Sequence, residues 1–450
     1  MAIKTSHFKI LFAFLLWIPT VCSQEQEYQF PLTISEDQRY LEDQSGKTFF
    51  YGADTAWMLF LKLNLEEAKH YLEDRKRSGF TVVQTMLTGF DGNTDTAGRR
   101  PFADSNDFST VNDEYMAHVQ EVVKIAESLN LVIAMVPLWA GCCGEGYGGR
   151  NEFLNNNGTD KSQWFGEYLA EKFGKFDNIF WIIGGDNDPQ TSVEEYDALA
   201  KALKAKAPHQ LITYHAVSTH SSTDVWDNPD WLDVSMIYTY FRGFRKAWNK
   251  KQLDVYEVGY TEYQKTPTRP FFLGESTYER EHDPMGSPLQ IRKQAYWSVF
   301  SGGAGHAYGS ANWKIPPEWK ENLQKFEGAK TLVHLKNLFY SLPWTNVKPD
   351  ISGSLIVKGN NTYATNDYAT SLIADDGGFA LSYVPSQRSF TVDPKTLKGK
   401  TLKAYWYNPI DGNVDYQGSY STQSSIDFTS PSTQDWVLVL DAGNTDFRPK

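Results

Sequence analysis

Cysteine is scarce in this sequence, and long apolar runs are confined to its beginning. The 450 residues contain 3 cysteines, and Cys142 and Cys143 are adjacent, so a disulfide framework and a paired-cysteine metal site are both excluded. The adjacent pair leaves two alternatives, a strained ring or two separate thiols. After the N-terminus no run approaches the roughly 20 apolar residues of a membrane span. We therefore expect no metal, no cofactor and no membrane-spanning segment.

An excess of basic residues is also lacking. The chain has 43 Lys+Arg against 55 Asp+Glu and a formal net charge of −12. Nucleic acid and anionic membranes attract a basic surface, so neither is an expected partner. Aromatic residues make up 15% of the chain, which fits either platforms for sugar rings or ordinary core packing.

The N-terminus has the pattern of an export signal. Lysines precede the apolar run ILFAFLLWIPTV (10–21), and small residues follow it before Gln24. This pattern predicts a signal peptide over residues 1–23 and a secreted or periplasmic protein. A lipoprotein anchor on Cys22 is the alternative, although Pro19, Thr20 and Val21 match such a site poorly. We expect the mature protein to be a monomer.

Apolar segments alternate with amphipathic helical segments from residue 48 to about 340. Continuous apolar runs predict strands that are buried on both faces, and they lie at 48–54, 81–87, 131–139, 178–186, 211–217, 233–239, 270–276 and 302–309. Helices are predicted between most of them, for example at 64–79, 112–130 and 192–208. This count and length predict a (β/α)8 TIM barrel over residues 24–345. A doubly wound sheet is the alternative, but it usually brings a Gly-rich phosphate loop, which the sequence lacks.

The sequence pattern changes after about residue 341. Apolar and polar residues alternate, and turn signals such as DDGG (375–378) separate the runs. This pattern predicts a small antiparallel β-sandwich over residues 346–450, with strands at 354–359, 362–375, 379–386, 402–409 and 435–442. We expect the sandwich to pack on the barrel as a structural part.

Two predicted barrel strands end in glycine followed by a carboxylate. NIFWIIGGD (178–186) ends at Asp186, and RPFFLGES (269–276) contains Glu275. Barrel enzymes carry their chemistry at the carboxyl ends of the strands, and two carboxylates across a glycosidic bond are sufficient to hydrolyse it. The alternative role is helix capping, which suits Asp186 better than Glu275.

Other polar and aromatic residues lie at or near the ends of the remaining predicted strands. Trp139 and Tyr240 are candidate stacking platforms for a sugar ring, and rim packing is the alternative. His215 can donate to a sugar hydroxyl or to Glu275, or it is structural. The full set of predicted substrate-binding residues is Asp54, Trp57, Gln84, Trp139, His215, Tyr238, Tyr240, His306 and Tyr308.

Five longer stretches allow a comparison with a known family. They are GADTAWMLF (52–60), WIIGGDNDP (181–189), FFLGES (271–276), SGGAGHAYG (301–309) and DWVLVL (435–440). Together they resemble glycoside hydrolase family 140, the apiosidase-like enzymes, whose C-terminal domain carries a collagen-binding label. The resemblance implies a plant cell-wall oligosaccharide substrate, with apiose-linked side chains removed from the pectin rhamnogalacturonan II. The family's catalytic aspartate and glutamate fall on Asp186 and Glu275.

The sequence thus predicts an exported glycosidase with Asp186 as general acid/base and Glu275 as nucleophile. In the wider clan of barrel glycosidases the acid is usually a glutamate after asparagine, whereas Asp186 follows Gly185. The alternatives are a glycosidase of different plant-glycan specificity and a carbohydrate-binding barrel without turnover. A secreted peptidase, which the collagen label raises, lacks a recognisable serine, cysteine or zinc constellation.

Overall fold

The structure is a computed structural model. It describes residues 27–90, 92–105, 107–139, 141–142, 151–240, 252–282, 285–443 and 447. The predicted signal peptide, Cys22 and Cys143 lie outside the described residues, and the two alternatives for the cysteine pair lie there with them. No helix in the described ranges has the length and apolar character needed to cross a membrane.

Within the described residues, eight parallel strands form the barrel sheet, and a two-residue strand at Tyr278–Glu279 pairs with the last of them. They are β1 (Tyr51–Thr55), β2 (Val82–Met86), β3 (Val132–Val136), β4 (Ile179–Gly184), β5 (Leu211–His215), β6 (Ser235–Tyr238), β7 (Phe271–Glu275) and β8 (Gly305–Ser310). The strand order is β5-β4-β3-β2-β1-β8-β7-β6. The backbone N–H groups of Asp233 and Val234 donate to the Ile212 carbonyl at 3.0 and 3.3 Å, which joins the entry to β6 with β5. The sheet is therefore a nearly closed barrel, and the predicted TIM barrel is confirmed.

Helices follow most of the barrel strands. The longer ones are α1 (Leu65–Arg77), α2 (Asp113–Ser128), α3 (Asn151–Phe173), α4 (Val193–Lys206), α5 (Val255–Tyr263), α6 (Pro288–Phe300) and α7 (Val333–Tyr340). Shorter helices lie at Leu59–Lys62, Ser222–Val225, Trp319–Lys325 and Glu327–Thr331. Local sequence sets the helix starts: Asn64 and Glu67 form a capping box at α1, and Ser287 followed by Pro288 begins α6.

The described C-terminal part is an antiparallel β-sandwich, as predicted. Its strands are β9 (Val347–Pro349), β10 (Ile356–Lys358), β11 (Thr370–Ala374), β12 (Phe379–Val384), β13 (Ser389–Val392), β14 (Thr401–Tyr407), β15 (Val414–Ser421), β16 (Ile426–Thr429) and β17 (Trp436–Asp441). In residues 347–441 the larger sheet has the order β9-β11-β12-β17-β14-β15, and the smaller has β10-β13-β16. Short antiparallel strands at Thr33–Ile34, Leu41–Glu42 and Thr48–Phe49 precede the barrel.

The central strands of the larger sheet of the sandwich are buried on both faces. Along β17, Leu438 and Leu440 pack into the core between the two sheets, whereas Val437 and Val439 pack into a second core shared with barrel helices. Successive side chains of a strand point to opposite faces, so one strand supplies both cores. The apolar run DWVLVL is the sequence signature of this double burial.

Residues 362–369 differ from the prediction, because the predicted strand 362–375 forms only over Thr370–Ala374. The preceding loop lies against the barrel. Tyr256 of α5 bonds to the backbone of Thr365 through its hydroxyl, and Trp297 of α6 donates to the Tyr368 carbonyl at 3.0 Å. Barrel side chains thus satisfy backbone groups that a strand would pair within the sheet.

Candidate active site

Asp186 lies in a sharp turn after β4. Gly185 has φ 143° and Asp186 has φ 49°, both in the left-handed region where a side chain is strained. A Cβ at Gly185 would come within 2.2 Å of the Trp139 ring, so only glycine lets the indole pack this closely. The sequence GGD therefore places Asp186 beside Trp139 in a nearly buried position, 7% exposed.

A β-bulge determines the direction of Glu275. Phe272 pairs with Met236 and Leu273 with Ile237, but Glu275 pairs with Tyr238, so Gly274 is passed over in the ladder. Phe272 points into the barrel, where it packs against Tyr51. In a regular strand the side chain three residues later points to the opposite face, so Glu275 would face the outer helices. The extra residue reverses that alternation. Glu275 consequently faces the same side as Tyr238 and is 4% exposed.

His215, at the end of β5, lies between the two candidate catalytic residues. The backbone N–H of Asp186 donates to His215 Nδ1 at 3.1 Å, and His215 Nε2 lies 3.1 Å from Glu275 Oε2. Because an N–H can only donate, Nδ1 must be unprotonated, and the proton of the neutral ring is then on Nε2. The Nε2–Oε2 contact lacks hydrogen-bond alignment.

Two tyrosines complete the surroundings of Glu275. The Tyr240 hydroxyl donates to Glu275 Oε1 at 3.2 Å, and the ring of Tyr238 lies 5.0 Å from that of His215. Burial, and then the charge of Glu275, raises the pKa of Tyr240 well above its ordinary value. Burial, and then the charge of Asp186, does the same to the pKa of Tyr238. Both hydroxyls therefore stay protonated, and the charges of Asp186 and Glu275 both raise the pKa of Tyr238.

Aromatic rings surround the imidazole and the Glu275 carboxylate. The ring of Trp57 lies 6.3 Å from His215 in a stacked arrangement and 5.6 Å from Trp139. The Trp57 indole N–H donates to the Tyr278 hydroxyl at 2.6 Å. Tyr278 in turn lies 6.4 Å from Tyr240. The structure thus brings together five of the predicted substrate-binding residues with Asp186 and Glu275, namely Trp57, Trp139, His215, Tyr238 and Tyr240.

Asp54 and Tyr308 lie elsewhere. They are register partners in β1 and β8, on the outer face of the barrel. Asp54 accepts from Tyr71 at 2.7 Å and forms an ion pair with Arg75 at 3.3 Å, both on α1. Tyr308 donates to Glu279 at 2.7 Å. These side chains join the barrel to its outer layer, so the structure replaces their predicted substrate contacts with structural ones.

His306 and Gln84 also have surroundings that differ from the prediction. His306 is the register partner of Gly52 and packs against Phe50 on the outer face, where burial lowers its pKa to about 3. Gln84 lies inside the barrel and is fully buried. It accepts from Tyr51 at 3.0 Å and donates to the Gly274 carbonyl at 2.9 Å. It supports the bulge beneath Glu275 and does not reach the ring of aromatic side chains.

Tyr278 and His282 also lie at the site, although neither was among the predicted substrate-binding residues. Tyr278 is buried beside Trp57, and the exposed ring of His282 lies 5.6 Å from Tyr240. Both follow β7 in the loop after Glu275, within seven residues of it in the printed sequence. Their place in the loop after a barrel strand was the available signal. Among the described residues, no group of three or more His, Cys, Asp or Glu side chains is arranged to hold a metal ion.

The arrangement suits acid–base and nucleophilic chemistry at a sugar. Two nearly buried carboxylate residues lie at the ends of β4 and β7, three places apart in the ring of eight strands, and the Tyr240 hydroxyl donates to one of them. Indole and phenol rings offer apolar faces next to these polar groups, as the C–H faces of a sugar require. Hydrolysis of a glycosidic bond needs a proton donor and a second carboxylate, and both are present.

Comparisons with known proteins agree with this chemistry. Residues 35–346 match a family model described as "Apiosidase-like, catalytic domain", and residues 349–441 match one described as "Putative collagen-binding domain of a collagenase". A solved glycoside hydrolase is 26% identical with a TM-score of 0.83, and the match covers 94% of this chain and 100% of that one. A glycoside hydrolase family 5 structure from Bacteroides vulgatus ATCC 8482 is 25% identical with a TM-score of 0.83, covering 94% and 97%. No curated protein gives a significant match.

Proposed function

This chain belongs to the family of apiosidase-like catalytic domains, and from that premise we propose that it removes apiose from the rhamnogalacturonan II side chains of pectin. The protein is a glycosidase, since its catalytic-domain family and its structural relatives share that activity. The proposal concerns the bond that is cleaved, the residues that cleave it and its assignment to glycoside hydrolase family 140.

We assign Asp186 as general acid/base and Glu275 as nucleophile. The observation that carries this assignment is the placement of one imidazole between them: His215 accepts from the Asp186 backbone at 3.1 Å and lies 3.1 Å from Glu275. The Tyr240 hydroxyl donates to Glu275 Oε1 at 3.2 Å, and His215 Nε2 faces Glu275 Oε2, which suits a carboxylate that attacks as a nucleophile. Asp186 is then the group that must carry a proton to the leaving oxygen.

Export accompanies this role, because a pectin-degrading enzyme must reach a polymer outside the cell. The N-terminal pattern of residues 1–23 supports a cleaved signal peptide and a secreted or periplasmic enzyme. The N-terminal sequence of the native protein tests this part, since it should begin near Gln24. A lipid-modified Cys22 at that position would contradict it.

The assigned roles imply net retention of configuration at the anomeric carbon. In retaining enzymes the carboxyl groups stand about 5–5.5 Å apart, and the second forms a glycosyl-enzyme ester that water then hydrolyses. Asp186 is one methylene shorter than the glutamate usual in the wider clan, which tends to widen the gap. Proton NMR of the sugar released first, recorded before mutarotation, should show the retained anomer. An inverted anomer would make Glu275 a general base and contradict its role as nucleophile.

The substrate is tested by incubating the purified full chain with rhamnogalacturonan II fragments and identifying the released sugar by chromatography. We expect free apiose from these fragments. Homogalacturonan fragments, which carry no apiose, serve as the matched substrate and should release nothing. Release of another sugar from either material, with no apiose, would contradict the proposed specificity while leaving the glycosidase activity in place.

A further inference from the structure

Gln294 on α6 connects two loops of the active site. Its side chain is buried, with 2% exposure. Its Oε1 accepts from the backbone N–H of Thr277 at 3.2 Å, and its Nε2 donates to the carbonyl of Thr239 at 3.3 Å. If Oε1 and Nε2 changed places, the Nε2 donor would face the Thr277 N–H, which is also a donor. The two backbone partners therefore fix the orientation of the amide.

Both partners are next to residues that define the site. Thr277 lies two residues after Glu275, in the loop that follows β7. Thr239 directly precedes Tyr240, whose hydroxyl donates to Glu275 Oε1 at 3.2 Å. One amide group therefore sets the distance between the backbone that carries Glu275 and the backbone that carries its hydrogen-bond donor.

The helix that carries Gln294 is held from its other side by the sandwich. Arg292 forms an ion pair with Asp435 at 2.6 Å, and both side chains are buried. Tyr296 stacks on Tyr383 with ring centroids 4.7 Å apart. Since Arg292, Tyr296 and Gln294 lie on one short helix, these contacts limit the movement of Gln294 relative to the two loops.

We propose that Gln294 is a positioning residue for the glycosidase reaction, which holds Glu275 and Tyr240 in register by bonding to the loops after β7 and β6. It does not touch substrate. The inference rests on the proposed role of Glu275, because the effect of Gln294 on turnover acts through that carboxylate. Its effect on the two loops does not depend on any substrate.

The test compares two glutamines of the same helix in the full chain. Gln294→Met keeps the length and volume of the side chain but removes both hydrogen bonds. Gln290→Met is the matched control: Gln290 is also buried and makes two hydrogen bonds, but both go to Asn366 of the sandwich. A shift of the reacting group by about 1 Å costs up to roughly 100-fold in rate. We expect kcat to fall at least about tenfold in Gln294→Met, with KM within about twofold of wild type. Gln290→Met should keep kcat within about twofold.

Gln294→Glu provides a conservative rescue. A protonated carboxyl offers one donor and one acceptor, as the amide does, whereas the ionised form has no donor for Thr239. The ratio of its kcat to that of wild type should therefore rise as pH falls. The same ratio for Gln294→Met should not change with pH. A rise in both ratios, or in neither, would contradict a role through the two hydrogen bonds.

Amide hydrogen exchange separates this inference from the proposed function. The Thr277 N–H donates to Gln294 directly. The amide hydrogen of Thr277 should therefore exchange faster in Gln294→Met and at the wild-type rate in Gln290→Met. If apiose release fails for the wild type but exchange behaves in this way, the positioning role stands and the proposed substrate does not. Unchanged exchange at Thr277, or an equal loss of kcat in both methionine variants, would overturn the inference.

Discussion

His215 connects the backbone of one candidate catalytic residue with the side chain of the other. Its Nδ1 accepts from the Asp186 N–H, and its Nε2 faces Glu275. A proton on Nδ1 would set two N–H groups against each other, so the tautomer that fits the turn after β4 directs its Nε2–H toward Glu275.

Another buried histidine of the barrel, His306, leads to a prediction about stability. Burial lowers its pKa to about 3, from an ordinary value of 6.5. As pH falls below 6.5 the unfolded chain binds a proton that the folded chain does not, so the free energy of unfolding decreases until pH approaches 3. The contribution lost by about pH 5 is about 2 kcal/mol.

His306→Gln should lack this dependence. Denaturant unfolding of both proteins at neutral pH and at about pH 5 measures it, since the stability difference between wild type and variant should shift by about 2 kcal/mol in favour of the variant at the lower pH. An equal decrease for both proteins would mean that His306 is protonated in the folded state.

Sequence alone selected Asp186 and Glu275 but could not separate Asp54, His306 and Tyr308 from the site. A strand that is apolar on both faces gives no sign of which alternate residues point inward. Tyr51 contacts Phe272 inside the barrel, so Gly52 and Asp54 point outward, and their register partners His306 and Tyr308 follow them. Only the register across neighbouring strands determines this.

At the scale of elements, the strands were predictable because a strand that is buried on both faces is a short, continuous apolar run in the sequence. Six of the eight barrel strands lie within the predicted segments, and β1 and β8 each extend one residue beyond theirs. The bulge at Gly274 was not predictable, because FFLGES fits a regular strand equally well. At the bulge Met236 of the neighbouring strand fills the space that a Cβ at Gly274 would need, and this residue lies 38 positions away in the printed sequence.

Gly274 provides the test of the bulge. A Cβ at this position would come within 2.1 Å of Met236 Cε and 2.5 Å of its Cγ, so the neighbouring side chain must move or the bulge must change. We expect Gly274→Ala to lower kcat by roughly 100-fold, the cost of a misplacement of about 1 Å. Steady-state kinetics on the fragments that release sugar measures this loss.

The double variant Gly274→Ala/Met236→Ala is the control for that experiment. It opens space for the new methyl group, so it should recover part of the lost turnover even though the smaller side chain lowers stability. A single variant with wild-type kcat, or a double variant that is less active than the single, would contradict the role of the bulge in directing Glu275.

At the scale of the whole molecule, the barrel and the sandwich share one core. Phe300 and Trp297 of α6 pack with Tyr383, Val437 and Val439 of the sandwich, and the buried Arg292–Asp435 pair crosses the same boundary. Separation of the two parts would expose this apolar face and leave each buried charge without its partner, which is strongly destabilising. The contacts support a structural role for the sandwich, whatever the name of its family model.

Expression of residues 350–450 alone tests that role. The barrel-facing side of the larger sheet would meet water, so we expect an aggregated product with no binding to collagen or to plant glycans. The full chain, measured under the same conditions, should be soluble. A soluble fragment that binds collagen or a plant glycan tightly would identify the sandwich as an independent binding module.

The central claim is that Glu275 and Asp186 perform glycosidic hydrolysis, and the turnover of matched carboxylate variants tests it most directly. Glu275→Gln and Asp186→Asn replace a carboxyl group by an amide of nearly the same volume, which can neither attack as a nucleophile nor deliver a proton. Each should therefore lower kcat by roughly 1,000-fold or more while the protein stays folded. Glu279→Gln is the control, because Glu279 is equally buried four residues after Glu275 but accepts from Tyr308 and the Gly328 N–H. It should lose stability and keep most of its turnover. Near wild-type kcat in Glu275→Gln, or an equal loss in Glu279→Gln, would contradict the assignment.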